Sequence, residues 1–263
     1  MTPAALLAAA LIAFPASDPV KPRTLTIDAH EFAYTMPDSV PAGVYTIELN
    51  NGGKEEHHAV FIRLEQGKRL ADLMAAMGPD GPFPSWATFV GGPEGPMPHG
   101  NVTLPLKPGR YAIICFIPSA DGMPHLAKGM SKELLVTGKK LEGSMPRADA
   151  ELSLQDYSFR FSKPLKAGRQ TIDVLVRNGQ PHEIAIHRLE PGKTATDFVR
   201  WLAKPEGPPP ATLHGGIAPL AAGETAQFTV DLPPGTYALI CHIPDHKDGK
   251  AHLTHGMWQE VTI

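Results

Sequence analysis

LKPGRYAIIC, residues 106–115, returns as LPPGTYALIC, residues 232–241. In both places a Pro-Gly turn leads into a short run of apolar and β-favouring residues that ends on cysteine, the pattern of a strand leaving a tight turn. The match spreads outward from there. PAGVYTI (41–47) pairs with KAGRQTI (166–172), RLEQGK (63–68) with RLEPGK (188–193), and Gly129-Met130 with Gly256-Met257, at an offset that drifts only from about 125 to about 127. A repeat of this length is a duplicated domain, and finding it fixes how every other residue is read.

The chain of 263 residues is long enough for two buried cores. The repeat predicts a first unit over 18–140, a polar linker over 141–149 and a second unit over 150–263. The apolar run from Ala4 to Phe14, followed by Pro15-Ala16-Ser17, has the size of a signal-peptide core and is too short to span a bilayer. Residues 1–17 are therefore read as a signal peptide, and the expected location is secreted or periplasmic. A formal charge of -3 gives no cationic surplus for nucleic acid, and no apolar run suggests a membrane span in the mature chain. With 28 Pro and 25 Gly the chain is rich in turns, which favours many short strands.

Within each unit the apolar pattern is mostly of period two. Leu25, Ile27, Phe32 and Tyr34 in the first copy, and Leu152, Leu154, Phe159 and Phe161 in the second, read as kinked opening strands. About seven strands separated by Pro-Gly turns predict an all-β fold, two tandem Greek-key β-sandwiches. The exceptions are Arg69 to Met77 and Thr194 to Leu202, whose spacing predicts a short helical insertion in each copy, covering one end of the sandwich.

Four donors of three types recur in register. The segments read Cys115-x9-His125-x4-Met130 and Cys241-x10-His252-x4-Met257, while His57 and His182 open matching mid-domain strands upstream. Two imidazoles, one thiolate and a weak thioether are the donors of a blue-copper site. The sulfurs hold Cu(I), the imidazoles suit both oxidation states, and the compromise lets copper exchange an electron with little rearrangement. A disulfide between Cys115 and Cys241 would need two separate sandwiches to bring equivalent points within about 7 Å. Met130 and Met257 could also be plain core filler.

Over nearly the whole mature chain both halves resemble the cupredoxins, the type 1 copper proteins. The first-ligand strand is carried by HHAVF (57–61) and HEIAI (182–186), and the ligand loop by Tyr111 to Met130 and Tyr237 to Met257. The resemblance implies a Greek-key sandwich, up to two type 1 copper sites per chain, and one-electron transfer with a transient redox partner protein. It also implies that His125 and His252 lie nearest solvent, at the exit for the electron. Two features depart from the pattern. The Cys-to-His loops are longer than in the small plastocyanins, and the residue after the first His, often Asn in the family, is His58 or Glu183.

His58 cannot share a face with His57 on a strand and is the reserve ligand. His246, flanking the second loop, is an alternative to His252, and His255 is read as solvated. His30, His99, His187 and His214 lack counterparts and are read as surface residues. An enzyme with a further copper at His242, His246 or His214, and a copper carrier, are the rival functions; an oligomer is also possible. No Gly-rich phosphate loop, Gly-x-Ser-x-Gly elbow or His-Glu-x-x-His occurs.

Overall fold

The computed structural model describes residues 20–78, 83–95, 100–177 and 179–263. The proposed signal peptide and His99 lie outside the described residues. The first copy runs β1 (Arg23–His30), β2 (Ala33–Thr35), β3 (Ser39–Asn51), β4 (Val60–Leu64), α1 (Leu70–Ala76), β5 (Ala87–Phe89), β6 (Asn101–Leu106), β7 (Gly109–Ile114) and β8 (Ser131–Glu142). The second runs β9 (Ala150–Gln155), β10 (Ser158–Phe161), β11 (Gly168–Val176), β12 (His182–Leu189), α2 (Ala195–Ala203), β13 (Ala211–Leu220), β14 (Thr225–Leu232), β15 (Thr236–Ile240) and β16 (Trp258–Thr262). Both are mostly β with one short helix each, as the repeat predicts.

Alternation builds the core. In β1, Leu25, Ile27 and Ala29 point inward between exposed or half-exposed neighbours, and β11 repeats the pattern with Ile172, Val174 and Val176. The opening hairpins have one register: Ala29 faces Tyr34 across β1 and β2, and Leu154 faces Phe159 across β9 and β10. Tyr111 and Tyr237 then tie down the Pro-Gly turns before the cysteines. Their hydroxyls donate to the carbonyls of Lys107 (2.9 Å) and Pro233 (2.7 Å).

The helices do not cover an end of the sandwich. Leu73 packs on Val60, Ile62, Leu64, Ala112 and Ile114, and Phe198 packs on Leu189, Ala238 and Ile240, so each helix lies on the outer face of a sheet. The cause is that β4, β7, β12 and β15 are apolar on both faces, and the outer face must also be kept from water. Helix α2 opens on a capping box: Asp197 N–H donates to Thr194 Oγ1 and Thr194 N–H to the Asp197 carboxylate.

The two copies are joined as a continuous structure. Strand β14 pairs with β6 antiparallel, centred on Phe228 opposite Val102, which hold the same place in the two copies. One sheet of twelve strands thereby runs through both, while β13, β12, β15 and β16 form a second of four. Beside that junction Ala218 N–H donates to Gly92 O (2.8 Å) and Gly91 N–H to Pro219 O (2.9 Å). Gly92 and Gly216 are required here: both have positive φ, 140° and 134°, and a Cβ on either would stand 1.9 Å from the carbonyl oxygen of Ala59 or Ile184. Arg63 also reaches across to Glu224 at 2.7 Å, and Lys107 joins the same carboxylate at 3.0 Å.

Candidate metal centres

Each copy gathers one imidazole from before or at the start of a central strand and one thiol and one imidazole from a single loop. Cys115 and Cys241 follow directly on β7 and β15. After each, the chain makes a polar excursion and returns as a one-turn helix, His125–Lys128 or His252–His255, ended by Gly129 or Gly256 in the left-handed region. The return is held by the same backbone bonds in both copies. His125 N–H donates to Ile117 O, Leu126 N–H to Cys115 O and Met130 N–H to His125 O. In the second copy His252 N–H donates to Ile243 O, Leu253 N–H to Cys241 O and Met257 N–H to His252 O. The extra residue of the second loop is absorbed in the excursion, so the ligands keep their places.

His57, Cys115 and His125 form one group, and His182, Cys241 and His252 the other, with the ligand atoms of each within 4.8 Å of one another. The Nδ1 atoms of the two imidazoles face each other at 3.0 Å in the first and 3.1 Å in the second. The sulfur lies 3.4 Å from the loop imidazole Nδ1 in both. A metal bonded at about 2.0–2.1 Å to nitrogen and about 2.3 Å to sulfur needs donor separations of this order. Met130 and Met257 are fully buried, and the carbonyl of each accepts the N–H of its own copy's cysteine.

The outward nitrogens select the tautomer. His125 Nε2 lies 2.8 Å from the Glu55 carboxylate, and His182 Nε2 lies 2.9 Å from Asp156. An imidazole that donates Nε2–H to a carboxylate presents a bare Nδ1 to the centre, which is how a metal-binding histidine is oriented. The other ring of each pair, His57 or His252, has no hydrogen-bond partner on Nε2, so either a proton or a cation fits between the two facing Nδ1 atoms. The donor set therefore fits copper, and each group is consistent with a type 1 copper site.

The electrostatics agree with that reading. Burial pushes both thiols up, Cys241 well above its ordinary value, so without a cation both stay protonated. Burial and the facing His125 lower His57; burial lowers His182; burial and His182 bring His252 down to about 4. These imidazoles are neutral at pH 7 and free to bind metal. The paired His125 holds Glu55 below the usual carboxylate range.

His125 and His252, which the resemblance places nearest solvent, are not themselves exposed. Both, like His57 and His182, are 0% exposed. Phe32 lies edge-on to the His125 ring at 5.2 Å and Tyr157 edge-on to His252 at 5.4 Å, so an aromatic ring shields each loop imidazole. The groups between ligands and water are Glu55 and Asp156, both more than a third exposed. In the sequence Phe32 reads only as part of an opening strand, and nothing marks Glu55, Asp156 or Tyr157, because acids and aromatics are common in loops. Register was the available signal for the aromatic pair, since Phe32 aligns with Tyr157 at the offset of the hairpins, whereas Glu55 aligns with Gln180.

The other histidines fall into place around the centres. His58 turns away from His57, and its Nε2 accepts Phe116 N–H at 2.7 Å; at the matching position Glu183 accepts His242 N–H at 2.8 Å. These groups meet at the junction between the copies, where His58 Nδ1 lies 3.9 Å from the buried Glu94 carboxylate. Burial brings His58 and His242 down to about 4 and Glu94 up to about 8. His187 is not a surface residue: its Nε2 is buried, its ring lies 4.6 Å from Phe198, and burial pushes it down to about 3. It stands on the outer face of β12, beneath α2. His30 is exposed, His214 Nε2 is 2.8 Å from the Asp231 carbonyl, and His246 and His255 are exposed. A third cluster, Asp245, Asp248 and His255, has its central carboxylate already engaged by Tyr157, Gln180 and Lys247 N–H. Both cysteines are free.

No family model and no curated protein matches the chain. Among solved structures it is similar to reduced auracyanin from Roseiflexus castenholzii, at 22% identity over 43% of this chain and 93% of that one, with a TM-score of 0.30. It is also similar to the copper-containing nitrite reductase of Thermus scotoductus, at 12% identity over 92% and 61% of the two chains and a TM-score of 0.24. The copper nitrite reductase of Nitrosomonas europaea matches at 14% identity over 93% and 94%, with a TM-score of 0.23. Scores this low carry no weight beside the geometry of the sites themselves.

Proposed function

We propose that the chain, two cupredoxin-like sandwiches fused along their sheets, is an exported electron carrier that binds two type 1 coppers and exchanges single electrons with protein partners. The observation that carries this reading is the double convergence of His Nδ1, Cys Sγ and His Nδ1 in dry sites of the same geometry. Bound copper supplies a one-electron couple. The chain supplies the rest. The Cys115 and Cys241 thiols would give up their protons to hold the ion, the four imidazoles would offer Nδ1, and Met130 and Met257 would supply a weak thioether donor. Glu55 and Asp156 hold the Nε2 protons and so fix ring orientation. Phe32 and Tyr157 keep water from the loop imidazoles. A rigid sandwich and a loop pinned by backbone bonds keep the donors in place whichever oxidation state is present.

Export is proposed from the apolar run at Ala4–Phe14, and docking with a partner is expected to be small and transient, as for redox encounters generally. Among the described residues no helix is long and apolar enough to cross a membrane. The test is anaerobic addition of Cu(II) to the purified protein. An intense thiolate charge-transfer band is expected. Absence of that band, or its survival in a Cys115→Ser, Cys241→Ser double variant, would contradict the reading.

A further inference from the structure

The second copy lines up four rings between its cysteine and the protein surface. His242 follows Cys241 directly, with its N–H held by the Glu183 carboxyl at 2.8 Å. Its imidazole lies edge-on to that of His187 at 6.0 Å between centroids, His187 lies 4.6 Å from Phe198, and Phe198 stacks on Trp201 at 6.2 Å and 20°. All three separations fall in the range of aromatic pairs in contact. The row starts after β15, crosses to β12 at His187 and climbs α2 from the buried Phe198 to the half-buried Trp201, whose indole N–H donates to Gly207 O at 3.3 Å.

The first copy carries Phe116, Ile62, Leu73 and Ala76 at the matching places, and the one ring among them lies 6.2 Å from His58 at the junction. Packing under a helix does not by itself ask for rings, since Leu73 is as well buried on its sheet as Phe198 is. His187 even leaves a buried Nε2 without a partner, a cost that the isoleucine of the first copy avoids. What separates the two rows is electronic. An electron tunnels farther through the π orbitals of touching rings than through saturated side chains, whose orbitals lie much farther from it in energy. The loop imidazole His252, meanwhile, is fully buried and shielded by Tyr157. We propose that His242, His187, Phe198 and Trp201 form an electron path that connects the second centre with a one-electron acceptor at the surface of α2. The proposal rests on the two-copper reading. One electron passes from the reduced centre to the acceptor; no bond is made or broken, no proton moves, and no ring is itself oxidised.

The experiment places matched photochemical labels on the copper-loaded full chain. Arg200→Cys in a Cys115→Ser background carries a ruthenium bipyridine label on α2 and keeps only the second centre. Ala75→Cys in a Cys241→Ser background carries it at the matching exposed position of α1 and keeps only the first. Flash oxidation of the label by an external quencher leaves ruthenium(III), and the electron returned by the reduced centre is read as growth of the thiolate band. The α2 label should be re-reduced severalfold faster than the α1 label. Phe198→Leu and His187→Ile, each taking the first copy's residue, should bring the α2 rate down toward the α1 rate while the reduction potential and the position of the band stay where they are. A merely structural role for these rings would lower unfolding stability and leave the rate alone. Equal rates from the two labels, or an α2 rate unmoved in a folded variant, overturn the path. If circular dichroism shows one of the two variants to be unfolded, the other decides. Failure of copper to give any thiolate band overturns the underlying copper reading instead, so the two failures are distinct.

Discussion

The first and second copies agree at the ligands and disagree just outside them. The carboxylate that orients an imidazole sits on the loop ligand His125 in the first copy and on the strand ligand His182 in the second. Tyr34 faces Phe159 across the comparison, His58 faces Glu183, and Ile62 faces His187. Donor identity and spacing are constrained by the metal, whereas the same tautomer can be fixed through either ring. The inner set was kept after duplication, and the outer set was free to diverge. One chain thus holds two related sites in two environments, and each serves as a control for the other.

The largest effect that can break the pairing comes from single cysteine variants. Cys115→Ser and Cys241→Ser should each abolish one of two thiolate bands and retain the other, measured by copper titration with an optical spectrum. Loss of both bands from either change would show that the centres are not separate units. Next is the junction. Phe228→Ala, at the centre of the β14–β6 pairing and fully buried, should cost about 3–5 kcal/mol in denaturant unfolding. Val102→Ala, opposite it, removes less side chain and should cost less. Unfolding in two transitions rather than one would show that the fused sheet does not bind the copies into one cooperative unit.

Smaller effects test the outer residues. Asp156→Ala should weaken copper affinity of the second centre about 10–100-fold, and Glu55→Ala should do the same for the first alone. Competition with a chelator, read at the separate bands, distinguishes them. The smallest effect is one of pH. His187 is held at about 3 in the folded chain against about 6.5 unfolded, so between those values the unfolded state binds more protons. Its contribution is complete above about pH 6.5 and is lost as the pH falls toward 3. His187→Ile, which copies the first domain, should therefore flatten part of the acid loss in apo-protein unfolding. An unchanged slope would mean that His187 is solvated.

The fold class and the donor sets were legible because both are written in local order: a turn, a strand, a cysteine and a loop, repeated at nearly constant offset. His57 and His182 were legible only through the repeat, since a lone histidine at a strand start says little. What escaped the sequence depends on contacts between distant segments. That α1 and α2 lie on a sheet face follows from the apolar outer sides of β4 and β12, where runs such as Val60-Phe61-Ile62 do not reveal how many faces are covered. The joining of β6 to β14 is set by three-dimensional fit of two edge strands, and no motif encodes it. His187 looked like a surface residue because a polar side chain without a counterpart usually is one, and its burial under α2 is a tertiary effect.

The measurement that bears most directly on the central claim is a crystal structure of the copper-loaded chain with anomalous scattering at the copper edge. Two copper ions per chain are expected, one bonded to His57 Nδ1, Cys115 Sγ and His125 Nδ1, the other to His182 Nδ1, Cys241 Sγ and His252 Nδ1. Copper bound elsewhere, or these six atoms left without an ion between them, would contradict it.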